Sequence, residues 1–175
     1  MARSNGGIIG VSNKTSFGKC TVTSRTSSTP SAVTTQPGTR FVDTLVVAGG
    51  GGGGSTSGGA AGGGGAGGVR TISSLPVCGN TALGAVVIGG GGSAFTDGVN
   101  SSIVIGGTTY TSEGGGKGGR SFDCISPGPG GNGSPGGSGG GGQGYTSEVI
   151  PNSGAGNTPP VSPSQGNPGG SGRFS

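Results

Sequence analysis

The chain has 175 residues, of which 50 are glycine and only 8% are charged, and its net charge is +4. Leu, Ile, Val and Phe together make up about 17% of it, below the ~20% at which a chain has difficulty burying a core. This composition excludes an ordinary domain built around a large hydrophobic core, and the low charge argues against a highly charged disordered chain. Because glycine loses more backbone entropy on folding than any other residue, we expect backbone hydrogen bonds and contacts between several copies to offset that cost.

The first 48 residues are the least glycine-rich part and favour strands. Thr, Ser and Val predict one strand over Lys19–Thr26 and another over Arg40–Ala48. Successive residues of the second strand point to opposite faces, and both faces are mostly apolar. This is typical of a central strand covered on both faces. The stretch also holds five basic residues and no acid in its first 40 positions, namely Arg3, Lys14, Lys19, Arg25 and Arg40. They form either a solvated surface or a site that attaches to an acidic partner, and we predict that residues 1–48 are a basic, β-rich attachment segment.

The composition changes abruptly at Gly49, where 14 of the next 20 residues are glycine. Helix is disfavoured there, because each glycine costs about 1 kcal/mol relative to alanine. Short apolar runs at 83–88 and 101–105 are again followed by glycines, and Gly106–Gly107 predicts a hairpin turn into 108–112. We predict an all-β protein with short, sandwich-like strands, little or no α-helix, and a second unit over residues 49–175. Its glycine-rich segments are expected to pack as polyglycine II helices, which are extended, have three residues per turn and lack internal hydrogen bonds; flexible linkers are the alternative.

The residue types that catalysis and metal binding need are scarce. Histidine is absent, and the five acids are never adjacent in sequence: Asp43, Asp97, Glu113, Asp123 and Glu148. No zinc, phosphate-loop or nucleophile motif is present, so we predict no enzyme activity, no cofactor and no metal. The chain has no basic cluster interleaved with aromatic residues, so we predict no nucleic-acid partner.

The three cysteines, Cys20, Cys78 and Cys124, are either buried free thiols or one disulfide and one free thiol. The chain has no run of about 18 consecutive apolar residues, so we predict no membrane insertion. The start of the chain lacks the apolar stretch of a signal peptide, so release by lysis of the producing cell is expected rather than conventional secretion. Large side chains near the glycine segments either close the ends of the bundle or stack on sugars or lipids; they are Tyr110, Arg120, Phe122, Tyr145 and Phe174.

Several phrases resemble the glycine-rich domains of virion proteins from bacteriophages, including those of marine bacteria. They are VDTLVVAGGGGGG at 42–54, GGGGAGGVRT at 62–71, SNGGIIG at 4–10, NKTSFG at 13–18, GGTTYT at 106–111 and GNTPPVSPSQGNPGG at 156–170. Proteins of this kind serve as tail fibres, as adhesins at fibre tips and on capsid surfaces. For the adhesins, the resemblance implies packed polyglycine helices with variable loops that touch the host cell.

We therefore expect a virion structural protein, made in the host cytoplasm and exposed on the particle as a tail-fibre or adhesin component. A capsid decoration or head-fibre protein is one alternative, and a self-assembling cellular surface or matrix fibre is another. The expected partners are other virion proteins, further copies of the chain with a trimer among the candidate states, and the host surface. The sequence assigns no residue to host contact.

Overall fold

The computed structural model describes residues 21–27, 33–54, 60–120, 131–144 and 152–172. Within them the chain forms five strands and no α-helix: β1 (Phe41–Val47), β2 (Val69–Pro76), β3 (Val86–Val87), β4 (Ser101–Ile105) and β5 (Thr108–Ser112). The strands make two antiparallel sheets, one of β1 and β2 and the other in the order β3-β4-β5. The predicted all-β class is confirmed.

The hairpin of β4 and β5 forms where the sequence predicts it. Ile105 pairs with Thr108, and Gly106 and Gly107 make the turn with φ of 58° and 79°. Positive φ at both central residues is the feature of the type I′ turn, whose twist matches that of the flanking strands. Glycine takes these angles without the steric cost that a Cβ would bring.

Two expectations about the strands are wrong, and one strand was not predicted. Residues 21–26 of the predicted first strand are exposed and belong to no strand. The strand β1 has one strand partner rather than two. On one of its faces, Phe41 is 62% exposed and Leu45 is 65% exposed. The strand β2 was not predicted, because its sequence VRTISSLP has weak alternation and its partner is distant along the chain.

The β1–β2 ladder continues into the glycine-rich segments without a change of register. Val47 pairs with Val69, and the backbone N–H of Ala48, Gly51 and Gly54 donates to the carbonyls of Gly68, Gly65 and Gly62 at 2.8–3.0 Å. Each of these pairs keeps the alignment of Val47 with Val69. Only the spacing changes, from the two-residue repeat of a strand to one bond every three residues. Two neighbouring strands therefore run directly into two neighbouring glycine segments.

The middle of the glycine-rich region is residues 113–119, here called the central segment. Five of its residues are buried glycines: Gly114, Gly115, Gly116, Gly118 and Gly119. The buried apolar side chains of the described residues are, by contrast, only Val46, Ala48 and Ile105. The interior of this protein is thus largely backbone, and its polar groups must all find partners.

Every backbone N–H of the central segment donates a hydrogen bond outside the segment, and the direction rotates with each residue. Gly115 and Gly118 donate to the carbonyls of Gly49 and Gly52, whereas Gly116 and Gly119 donate to those of Ser138 and Gly141, all at 2.8–2.9 Å. The remaining donors bond to side chains: Glu113 to Gln165 Oε1, Gly114 to Asn100 Oδ1 and Lys117 to Asp97 Oδ1. From Gly114 onward, residues three apart therefore face the same neighbour.

Candidate functional site

The predicted attachment residues fall into two groups. Arg25 and Arg40 are exposed, whereas Arg3, Lys14 and Lys19 lie outside the described residues. Their role in attachment stays a prediction, as does the division of the chain at residues 48 and 49. The pairing of β1 with β2 connects the two sides of that division.

Two of the three described acids, Asp43 and Asp97, accept hydrogen bonds from backbone N–H groups. Asp43 Oδ1 accepts a bond of 2.7 Å from the Ser74 N–H, beside an irregularity in the β1–β2 register. Asp97 Oδ1 accepts one of 2.7 Å from the Lys117 N–H. Among the described residues, no three His, Cys, Asp or Glu side chains are grouped so that they could hold a metal ion. Asp123 and Glu148 lie outside the described residues.

Cys78 does not fit the expectation of a buried thiol, because it is exposed and free. Cys20 and Cys124 lie outside the described residues, so the choice between free thiols and one disulfide stays open. Of the described part of the chain, no helix has the length and apolar character needed to cross a membrane.

One surface cluster combines an aromatic ring with two cations. Lys117 Nζ lies 4.6 Å and Arg120 Cζ 5.6 Å from the centroid of the Phe95 ring, within range for cation–π attraction. Phe95 has a φ of 58°, which is unusual for a residue with a side chain, and its N–H donates to the Gly53 carbonyl at 2.8 Å. The cluster anchors the 93–97 turn to the glycine-rich region, and the sequence alone did not single out Phe95.

A second feature is an open cleft of about 310 Å³ between β2, β5 and the 162–163 segment. We call it the Arg70 cleft, and its lining is Arg70, Thr71, Ile72, Ser73, Tyr110, Ser162 and Pro163. Arg70 and Tyr110 are half-buried, and Arg70 Nη1 donates a bond of 2.8 Å to the Thr111 carbonyl, which links β2 to β5. Tyr110 therefore lies at this cleft. Phe122, Tyr145 and Phe174 lie outside the described residues.

A third feature is the outer face of the β1–β2 sheet. Phe41, Leu45, Val47 and Val69 present an apolar surface there, each between 46% and 65% exposed. Asp43 lies on the same side of β1 and is also exposed. Large apolar side chains exposed side by side are a common feature of interaction surfaces.

No protein-family model, no curated protein and no solved structure matches this chain.

Proposed function

We propose that this protein is a non-enzymatic structural component of a bacteriophage virion, exposed on the particle as part of a tail fibre or adhesin. The observation that carries the proposal is the hydrogen bonding of the glycine-rich segments. A scaffold held by backbone bonds leaves the side chains of its loops free to vary, which suits a protein that must contact changing host surfaces. The resemblance of the phrases quoted above to glycine-rich virion proteins favours the same function.

The proposal includes a specific conformation for the glycine-rich segments. We infer that they are polyglycine II helices, because three residues per turn bring every third residue back to the same side. The central segment supports this inference, since its consecutive N–H groups serve different neighbours and, from Gly114 onward, residues three apart serve the same one. Glycine allows the required approach of backbones, because a Cβ at Gly118 would lie 1.9 Å from the Gly62 carbonyl oxygen.

The proposal also includes self-association. The outer face of β1 supports it, because large apolar side chains on a strand with one partner gain about 25 cal/mol per Å² when they are covered. A second copy of the chain, in a trimer or another closed assembly, is the occupant we propose for this face. Arg25 and Arg40, with the basic residues that precede them, are proposed to attach the protein to other virion proteins.

The test is the copy number of the protein in purified phage particles, measured by quantitative mass spectrometry against the major capsid protein. We expect a few copies per hundred capsid subunits, as a tail fibre or adhesin requires. A ratio near one would instead indicate a capsid decoration protein. Absence from particles would contradict the virion proposal and favour a self-assembling cellular fibre.

A further inference from the structure

The Arg70 cleft contains a positive charge that no acid of the described residues neutralises. Arg70 is half-buried and forms no ion pair within the part of the chain that the structure describes, and its one hydrogen bond goes to the neutral Thr111 carbonyl. A guanidinium has five N–H donors in a planar fork, which matches the two oxygens of a carboxylate. Since a partly desolvated cation is stabilised by an anionic partner, the cleft has the electrostatics of an anion site.

The rest of the lining indicates which kind of anion the cleft would bind. Tyr110 and Ser162, which carry hydroxyl groups, line the same cleft as Arg70, together with Pro163. Thr71 and Ser73 also belong to the lining, but their side chains alternate in direction with that of Arg70 along β2. Hydroxyls can both donate and accept, as the alcohols of a sugar require, and an aromatic ring offers an apolar face with a polar tip. At about 310 Å³, the cleft lies at the lower end of the range for small-molecule sites. This combination fits a sugar ring that bears a carboxylate.

We propose that the Arg70 cleft binds acidic saccharides, with Arg70 holding the carboxylate and the hydroxyls and Tyr110 ring holding the sugar. The site deepens the proposed function and rests on it for its biological meaning, since the saccharide would belong to the host surface. The binding itself is a property of the chain alone. It can therefore be tested without particles or host cells.

The experiment is calorimetric titration of the full chain with galacturonate oligomers, and with galactose oligomers of the same length as the neutral probe. We expect binding of the acidic oligomers and at least tenfold weaker binding of the neutral ones. Arg70→Gln should weaken binding of galacturonate at least about tenfold. Arg120→Gln, which removes the same charge at an exposed residue outside the cleft lining, should leave the affinity for galacturonate within about twofold.

A second variant separates binding from the structural bond of Arg70. Ser162→Trp adds a large side chain at an exposed position of the cleft wall and leaves the bond between Arg70 and Thr111 in place, so it should block binding while the melting temperature stays unchanged. Competition with inorganic phosphate distinguishes a site for acidic saccharides from a site for any small anion. We expect phosphate to displace the saccharide only at large excess.

Four results would overturn the site: no binding of galacturonate, equal binding of the neutral oligomers, equal weakening by Arg120→Gln, or displacement by phosphate at equal concentration. Any of them would leave the particle measurement untouched. Conversely, saccharide binding by a chain that is absent from particles would remove the virion proposal and keep the site.

Discussion

At the scale of single residues, the glycines differ in what surrounds their missing side chains. Gly65 is buried, and a Cβ there would lie 2.2 Å from the Ser138 carbonyl oxygen, whereas a Cβ at the exposed Gly63 would have no atom within 4 Å. Gly65 also donates to the Gly116 carbonyl. Two glycines of one short segment thus have opposite tolerance of a methyl group.

Gly65→Ala and Gly63→Ala form a matched pair for this difference. We expect Gly65→Ala to lower the free energy of unfolding by roughly 1–3 kcal/mol, because the displaced atoms belong to backbone that cannot move aside. Gly63→Ala should be neutral or raise it by about 0.4–1 kcal/mol through a less flexible unfolded chain. Urea denaturation measures both, and equal effects of the two changes would contradict the packing described for this segment.

Asn100 completes the hydrogen bonding of the central segment with a side chain. Its Oδ1 accepts a bond of 2.8 Å from the N–H of the buried Gly114. Asn100→Ala leaves that donor without its partner and should cost about 1–3 kcal/mol of stability. Asn100→Asp keeps an acceptor oxygen and should retain most of the stability that Asn100→Ala loses. Urea denaturation measures both variants. Equal loss in both variants would mean that the amide acts through another contact.

At the scale of elements, the β4–β5 hairpin depends on its two-residue turn. Gly107 has a φ of 79°, which costs a β-branched residue about 1–2 kcal/mol or more. Gly107→Val should therefore destabilise the protein by at least this amount. Gly106→Asn should be tolerated, since Asn-Gly is a favoured type I′ sequence. Thermal unfolding followed by circular dichroism compares the two, and a tolerated Gly107→Val would argue against this turn type.

The sequence predicts elements whose signal is local and misses those that depend on distant partners. The hairpin is predictable because its turn glycines and both strands are adjacent, and the alternation of residues 40–48 predicts β1. Nothing local shows that one face of β1 remains exposed, or that VRTISSLP pairs with it. The Arg70 cleft is likewise hidden, because it joins β2, Tyr110 and the 162–163 segment, which are far apart in sequence. Asp97 and Asn100 resemble ordinary loop residues until their glycine partners are known.

At the scale of the whole molecule, the apolar face of β1 predicts an assembly. The chain has a mass of 16.0 kDa, and we expect light scattering during size-exclusion chromatography to give a mass of two or more chains. Leu45→Lys places a charge on a side chain that is 65% exposed and should shift the protein toward the monomer without unfolding it. Val22→Lys, at a residue 90% exposed and outside the β1–β2 sheet, is the control and should leave the assembly intact. A monomeric wild-type protein would contradict the proposed self-association.

Backbone hydrogen bonds between glycine-rich segments run through the part of the chain that the structure describes, and amide hydrogen exchange resolved by NMR tests this scaffold most directly. In residues 62–68, the N–H groups of Gly62, Gly65 and Gly68 donate to the carbonyls of Gly119, Gly116 and Glu113 at 2.7–2.9 Å. We predict slow exchange at these three amides and fast exchange at Gly63, Gly64 and Ala66 between them. Uniformly fast exchange across the segment, or protection at alternate residues as in a strand, would contradict the three-residue scaffold on which the proposed function depends.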